Sequence, residues 1–108
     1  MVKTMCDGEV LTVFLEQEID HYAAQKVRQE IEEDILKTGA KKLLLDFSDV
    51  EFMDSSGIGM IIGRYKTMQR LGGTVSACGL SSTIERIFRM AGLHRILEVK
   101  QKERREEA

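Results

Sequence analysis

Leu43-Leu44-Leu45, ending in Asp46-Phe47, is a continuous run of apolar residues closed by one carboxylate and an aromatic, of strand length in all. A strand without polar alternation is the mark of a parallel sheet, where crossover helices cover both faces. The flanking sequence fits that demand. Upstream, Ala24, Val27, Ile31 and Ile35 recur at helical spacing among charged residues; downstream, Ile58, Ile61, Ile62 and Tyr65 form a second helical stripe. A buried strand between two amphipathic helices restricts the chain to the α/β class.

The remaining segments extend the same pattern. Residues 2–6 and 9–16 read as short strands joined at Asp7-Gly8, a dipeptide suited to a tight hairpin. Both faces of the second are largely apolar, as an interior strand requires. Asp20 is placed to cap the first helix and Gly39 to end it. Gly72-Gly73 closes the second helix and Thr74–Cys78 follows as a strand. Ser82 with Glu85 fits a capping box for a third helix carrying Ile84, Ile87, Phe88 and Ala91, which Gly92 terminates. Ile96–Val99 is the candidate for a last edge strand. The order β-β-α-β-α-β-α-(β) describes one α/β domain with a small mixed sheet over residues 1–99. Residues 100–108, mostly charged, form a tail or helical extension.

Composition removes several functions. A chain of 108 residues with 43% hydrophobic content suits one core. Sixteen basic against eighteen acidic residues leave a formal net charge of -2, which provides no field for nucleic acid. No apolar run reaches membrane-spanning length and the N-terminus has no signal-peptide core. Cys6 and Cys78 are too few and too far apart for a disulfide framework or zinc site, so a cytoplasmic setting is expected.

The chemistry concentrates in Phe52-Met53-Asp54-Ser55-Ser56-Gly57-Ile58-Gly59, where a strand turns into a helix. Unpaired N–H groups at such a corner can hold an anion, or a serine that becomes one on phosphorylation. A dinucleotide fingerprint would need glycine at Ile62 and an acidic residue near Ser76–Cys78, and both are missing. A hydrolase elbow would need glycine two before the serine, where Met53 and Asp54 stand. His21 and His94 have the placement of surface histidines. Asp20, Asp46 and Asp54 can converge on one sheet edge but lack calcium-loop spacing. The small residues are read as allowing close packing of the helix start. At least one of Ser55 and Ser56 is expected to cap the helix. Either hydroxyl can accept phosphate, which the positive end of a helix tolerates. Local chemistry does not choose between them.

The stretch Asp46–Lys66, with Asp-Ser-Ser-Gly-Ile-Gly at its centre, resembles the signature of STAS domains. More narrowly it is similar to bacterial anti-sigma factor antagonists, and Gly63-Arg64-Tyr65-Lys66 is close to the sporulation sigma-F type. Ile19-Asp20-His21, Gly72-Gly73 and Ile87–Leu93 echo other landmarks of that family. The resemblance implies a non-enzymatic binding module without cofactor, metal, direct nucleic-acid or membrane contact, monomeric or weakly dimeric. It implies that Ser55 is the phosphorylated residue and that Asp20 lies beside it. Asp20, Asp54, Ser55, Ser56, Gly57, Ile58 and Gly59 would form the partner-binding surface. The implied partners are an anti-sigma factor that is also a serine kinase, and a PP2C-type phosphatase that reverses it. A nucleotide-binding or stressosome-type scaffold module is the alternative within the same family. One departure stands out: the family often has glycine in the turn where this chain has Gln17, ahead of Glu18-Ile19-Asp20.

Overall fold

The computed structural model describes residues 2–101. Five strands alternate with three helices after an opening hairpin: β1 (Lys3–Asp7), β2 (Val10–Ile19), α1 (His21–Thr38), β3 (Lys42–Met53), α2 (Ser55–Arg70), β4 (Thr74–Cys78), α3 (Ser82–Ala91) and β5 (Glu98–Lys100). A single 3-10 turn, Leu93–Arg95, joins α3 to β5. The sheet order is β1-β2-β3-β4-β5, with β1 antiparallel to β2 and every other pair parallel. The expected mixed sheet and element order are therefore present. The charged tail expected beyond β5 falls mainly on residues 102–108, outside the described residues.

The hairpin turns at Gly8, whose φ of 62° suits the first position of a two-residue loop. The parallel strands are joined by helices, and the strand order advances in one direction across the sheet. Right-handed crossovers taken in one direction set their helices on one face. Burial follows that rule. Leu11, Val13 and Leu15 in β2 and Leu43, Leu45 and Phe47 in β3 are buried, while Val10, Thr12, Phe14 and Leu44 between them are only half-buried. The expectation that β3 is covered on both faces is thus corrected: its apolar run is sealed on one side and partly open on the other.

The sealed face holds the core. Ile31 and Ile35 of α1, Ile61 and Met68 of α2, and Ile84 and Phe88 of α3 are buried there. Each such aliphatic side chain contributes about 1.5–3 kcal/mol relative to exposure. Phe88 meets Phe47 edge to face, with ring centroids 5.4 Å apart. One charged pair ties α1 to α2: Glu32 Oε2 lies 2.7 Å from Arg64 Nε and accepts from Thr67 Oγ1 at 2.8 Å. Burial pushes the Arg64 guanidinium below its ordinary pKa, and Glu32 draws it back up.

Two cap assignments differ from expectation. Ser81, not Ser82, caps α3 by accepting from the Ile84 N–H, so Glu85 is one position too far along for a capping box. At α2 the cap is Asp54 and neither serine.

Candidate functional site

β2 and β3 end together. Ile19 pairs with Met53, and the next residue of each strand, Asp20 and Asp54, caps the helix that follows. Asp20 Oδ1 accepts from the Ala23 N–H at 2.9 Å, and Asp54 Oδ1 accepts from the Ser56 N–H at 2.8 Å. The Asp54 N–H donates to the Ile19 carbonyl at 3.3 Å, which fastens the two corners to each other. Two helix N-termini thus open on one edge, at the carboxyl ends of parallel strands where α/β proteins place their ligands. Asp46 does not join them. It stays inside β3, buried, and accepts from the Ser48 N–H.

The serines sit in different environments. Ser55 is exposed, and its hydroxyl has no hydrogen-bond partner among the described residues. Ser56 is half-buried, with its Oγ 3.2 Å from His21 Nδ1 at the start of α1. His21 and Ser56 are brought together, but among the described residues no carboxylate bonds the second ring nitrogen, so none orients the pair as a hydrolase triad would. Three of the corner's backbone donors are spent as well. The N–H of Ser56 goes to the Asp54 carboxylate, and those of Gly57 and Ile58 go to the Asp54 carbonyl. The anion-holding corner expected from the sequence is occupied by the protein's own carboxylate.

The glycines divide in the same way. A Cβ on Gly57 would stand 3.0 Å from Met53 Cβ and 3.2 Å from Ile19 Cγ2, so its hydrogen lets α2 settle onto the strand ends. Gly59 and Gly63 face open space, and the close-packing explanation applies to Gly57 alone. Ile58 turns the other way, into an apolar groove that Ser55 also lines.

Three features were missed in the sequence. Gln17 takes φ 57°, a left-handed conformation, at an irregularity in the β2–β3 register. The backbone therefore keeps a shape suited to glycine although the residue is not one, at about 1–2 kcal/mol of strain. The departure from the family pattern was the available signal. Phe52 and Met90 are large, apolar and uncovered, and both line the groove at Ser55. Met90 stands one residue outside the helical stripe Ile84, Ile87, Phe88, Ala91, which is the trace it leaves in the sequence. Among the described residues no three His, Cys, Asp or Glu side chains gather as a metal set. No described helix is long and apolar enough to cross a membrane.

A family model for the STAS domain matches residues 2–108. An anti-sigma F factor antagonist of Paenibacillus polymyxa is 36% identical over 90 residues, which is 83% of this chain and 77% of the relative. An anti-sigma-B factor antagonist of Listeria monocytogenes is 34% identical over 94 residues, covering 87% and 82%. The phosphorylated form of SpoIIAA from Bacillus aligns with a TM-score of 0.73 at 25% identity, covering 94% of this chain and 93% of the other. Unphosphorylated SpoIIAA gives 0.74 at 24%, covering 93% and 87%, a likeness of fold.

Proposed function

The chain belongs to the STAS domain family, and on that footing we propose that it is an anti-sigma factor antagonist switched by phosphate on Ser55. The observation that carries this reading is the contrast between the serines: Ser55 is exposed with a free hydroxyl, whereas Ser56 is held by His21 and half-buried. Relatives in Paenibacillus polymyxa and Listeria monocytogenes are named as antagonists of anti-sigma factors, and a structural neighbour is known in a phosphorylated form.

In this reading the unmodified chain captures an anti-sigma factor that is also a serine kinase. Asp20, Asp54, Ser55, Ser56 and the turn Gly57–Gly59 form the centre of the contact. The partner brings ATP. Ser55 Oγ attacks the γ-phosphorus, the bond to the bridging oxygen of ADP breaks, and the hydroxyl proton passes to a base on the partner or to water. The product carries about 1.5–2 extra negative charges beside Asp20 and Asp54, and the complex parts. A PP2C-type phosphatase removes the group and restores binding. A nucleotide-binding module is the weaker reading, because two carboxylates stand at the corner and the N–H groups of Ser56, Gly57 and Ile58 are already bonded.

The test is incubation with the Paenibacillus polymyxa anti-sigma F factor and magnesium ATP, followed by mass-spectrometric mapping. One phosphate on Ser55 is the expected result. Phosphate on Ser56, or none, would overturn the assignment.

A further inference from the structure

Ser55 lies on the rim of a groove of about 290 Å³ between the end of β3, the first turn of α2, and α3. Its walls are Phe52, Ile58, Ile87, Met90 and Ala91, and the polar side chains on it are Ser55 and Asp54. Phe52 is 49% and Met90 81% exposed, so two large apolar side chains stand in water in the groove that the hydroxyl shares. Other exposed apolar residues, such as Leu36 and Tyr22 on α1, line no part of this groove. Clustered exposed apolar groups beside a modifiable residue call for an occupant.

We infer that this groove receives an apolar side chain of the anti-sigma kinase, and that phosphate on Ser55 works by wetting the rim of that contact. The inference rests on the proposed role of Ser55, and it names what the partner must offer. A kinase that reaches the Ser55 hydroxyl has to seat over the groove, because the hydroxyl shares its walls with Phe52 and Met90. Covering those two residues carries the contact beyond the motif, from the end of β3 to Met90 on α3. It also changes how the switch acts. A phosphate on the rim holds water beside Asp54, and an apolar group can then dock only by stripping that water away. Desolvation of this kind is not screened by salt, whereas simple repulsion between exposed charges is.

The test uses the full chain and the Paenibacillus polymyxa anti-sigma F factor as probe, with affinity read by calorimetry. Phe52→Ser and Met90→Ser are each expected to lose about tenfold or more in affinity, as removal of a central apolar anchor does. Met90→Leu should bind as wild type, and Leu36→Ser, on exposed α1 surface, should do the same. The loss caused by Ser55→Asp should be alike at about 50 and about 500 mM salt. If Phe52→Ser and Met90→Ser bind like wild type while Ser55 still takes phosphate, the role of Ser55 stands and the groove inference falls. A Ser55→Asp loss that vanishes at high salt overturns the desolvation mechanism. If wild type neither binds nor takes phosphate, both fall. Concentration-dependent dimerisation abolished by Met90→Ser would assign the groove to a second copy and likewise overturn the inference.

Discussion

His21 Nδ1 lies 3.2 Å from Ser56 Oγ, so the first residue of α1 holds a hydroxyl in the first turn of α2. The bond pins Ser56 and leaves its neighbour Ser55 alone. Ser56→Ala should therefore still take phosphate on residue 55, with a stability loss of about 1 kcal/mol or less for a partly exposed hydrogen bond. Ser55→Ala should take none. Mass mapping and thermal melts of the two variants check both halves.

Binding should separate charge from shape at the same residue. Ser55→Ala is expected to keep its grip on the anti-sigma factor. Ser55→Asp should weaken it by about tenfold or more, or about 1.4 kcal/mol. Equal affinities in calorimetry would remove the switch.

Gln17→Gly should stabilise the fold by up to about 1 kcal/mol. Relief of the left-handed strain at φ 57° outweighs the extra freedom glycine gives the unfolded chain. A midpoint that shifts downward in urea titration would show that the Gln17 side chain compensates its backbone.

Gly57 and Gly59, two residues apart, should respond in opposite directions. Gly57→Ala forces a methyl against Met53 and Ile19 and should cost about 1–3 kcal/mol. Gly59→Ala meets open space and should gain up to about 1 kcal/mol as a helix-interior substitution. Its added methyl lies on the proposed docking surface, so a rise in melting temperature should come with weaker partner binding.

Breaking the α1–α2 charge pair from one side should be the costlier way to remove it. Glu32→Gln leaves the buried Arg64 guanidinium without its counter-charge and should cost about 2–4 kcal/mol, while replacing both by apolar residues should cost less. A double-mutant cycle on thermal unfolding measures the difference.

Much of this architecture was legible because each signal was local. The helical stripes, the Asp20 cap and the terminating glycines at 39 and 92 depend on neighbours within one turn, and each is where its residues place it. What escaped depends on distant chain. Choosing among Asp54, Ser55 and Ser56 as the cap requires knowing that β3 runs on to Met53, and that follows from its pairing with Ile19. The open sheet face could not be seen in Leu43-Leu44-Leu45, because an apolar run does not tell whether helices cover one side or two. The groove is joined from β3, α2 and α3, and no window of sequence contains it. At Ser81 and Ser82 the local rule misled, since the wrong serine has the better-spaced glutamate.

The paired ends of β2 and β3 bear on the proposed switch. Ile19 and Met53, the last residues of the two strands, are almost wholly buried, and Gly57 rests on both. The strand ends beneath Ser55 cannot fray without drawing core side chains into water, so the Asp54 amide, bonded to the Ile19 carbonyl, should exchange slowly. On the proposed function, such a platform would not bend to report a phosphate on Ser55. It acts like a printed face whose one character changes, and the reading is left entirely to the molecule that docks on it.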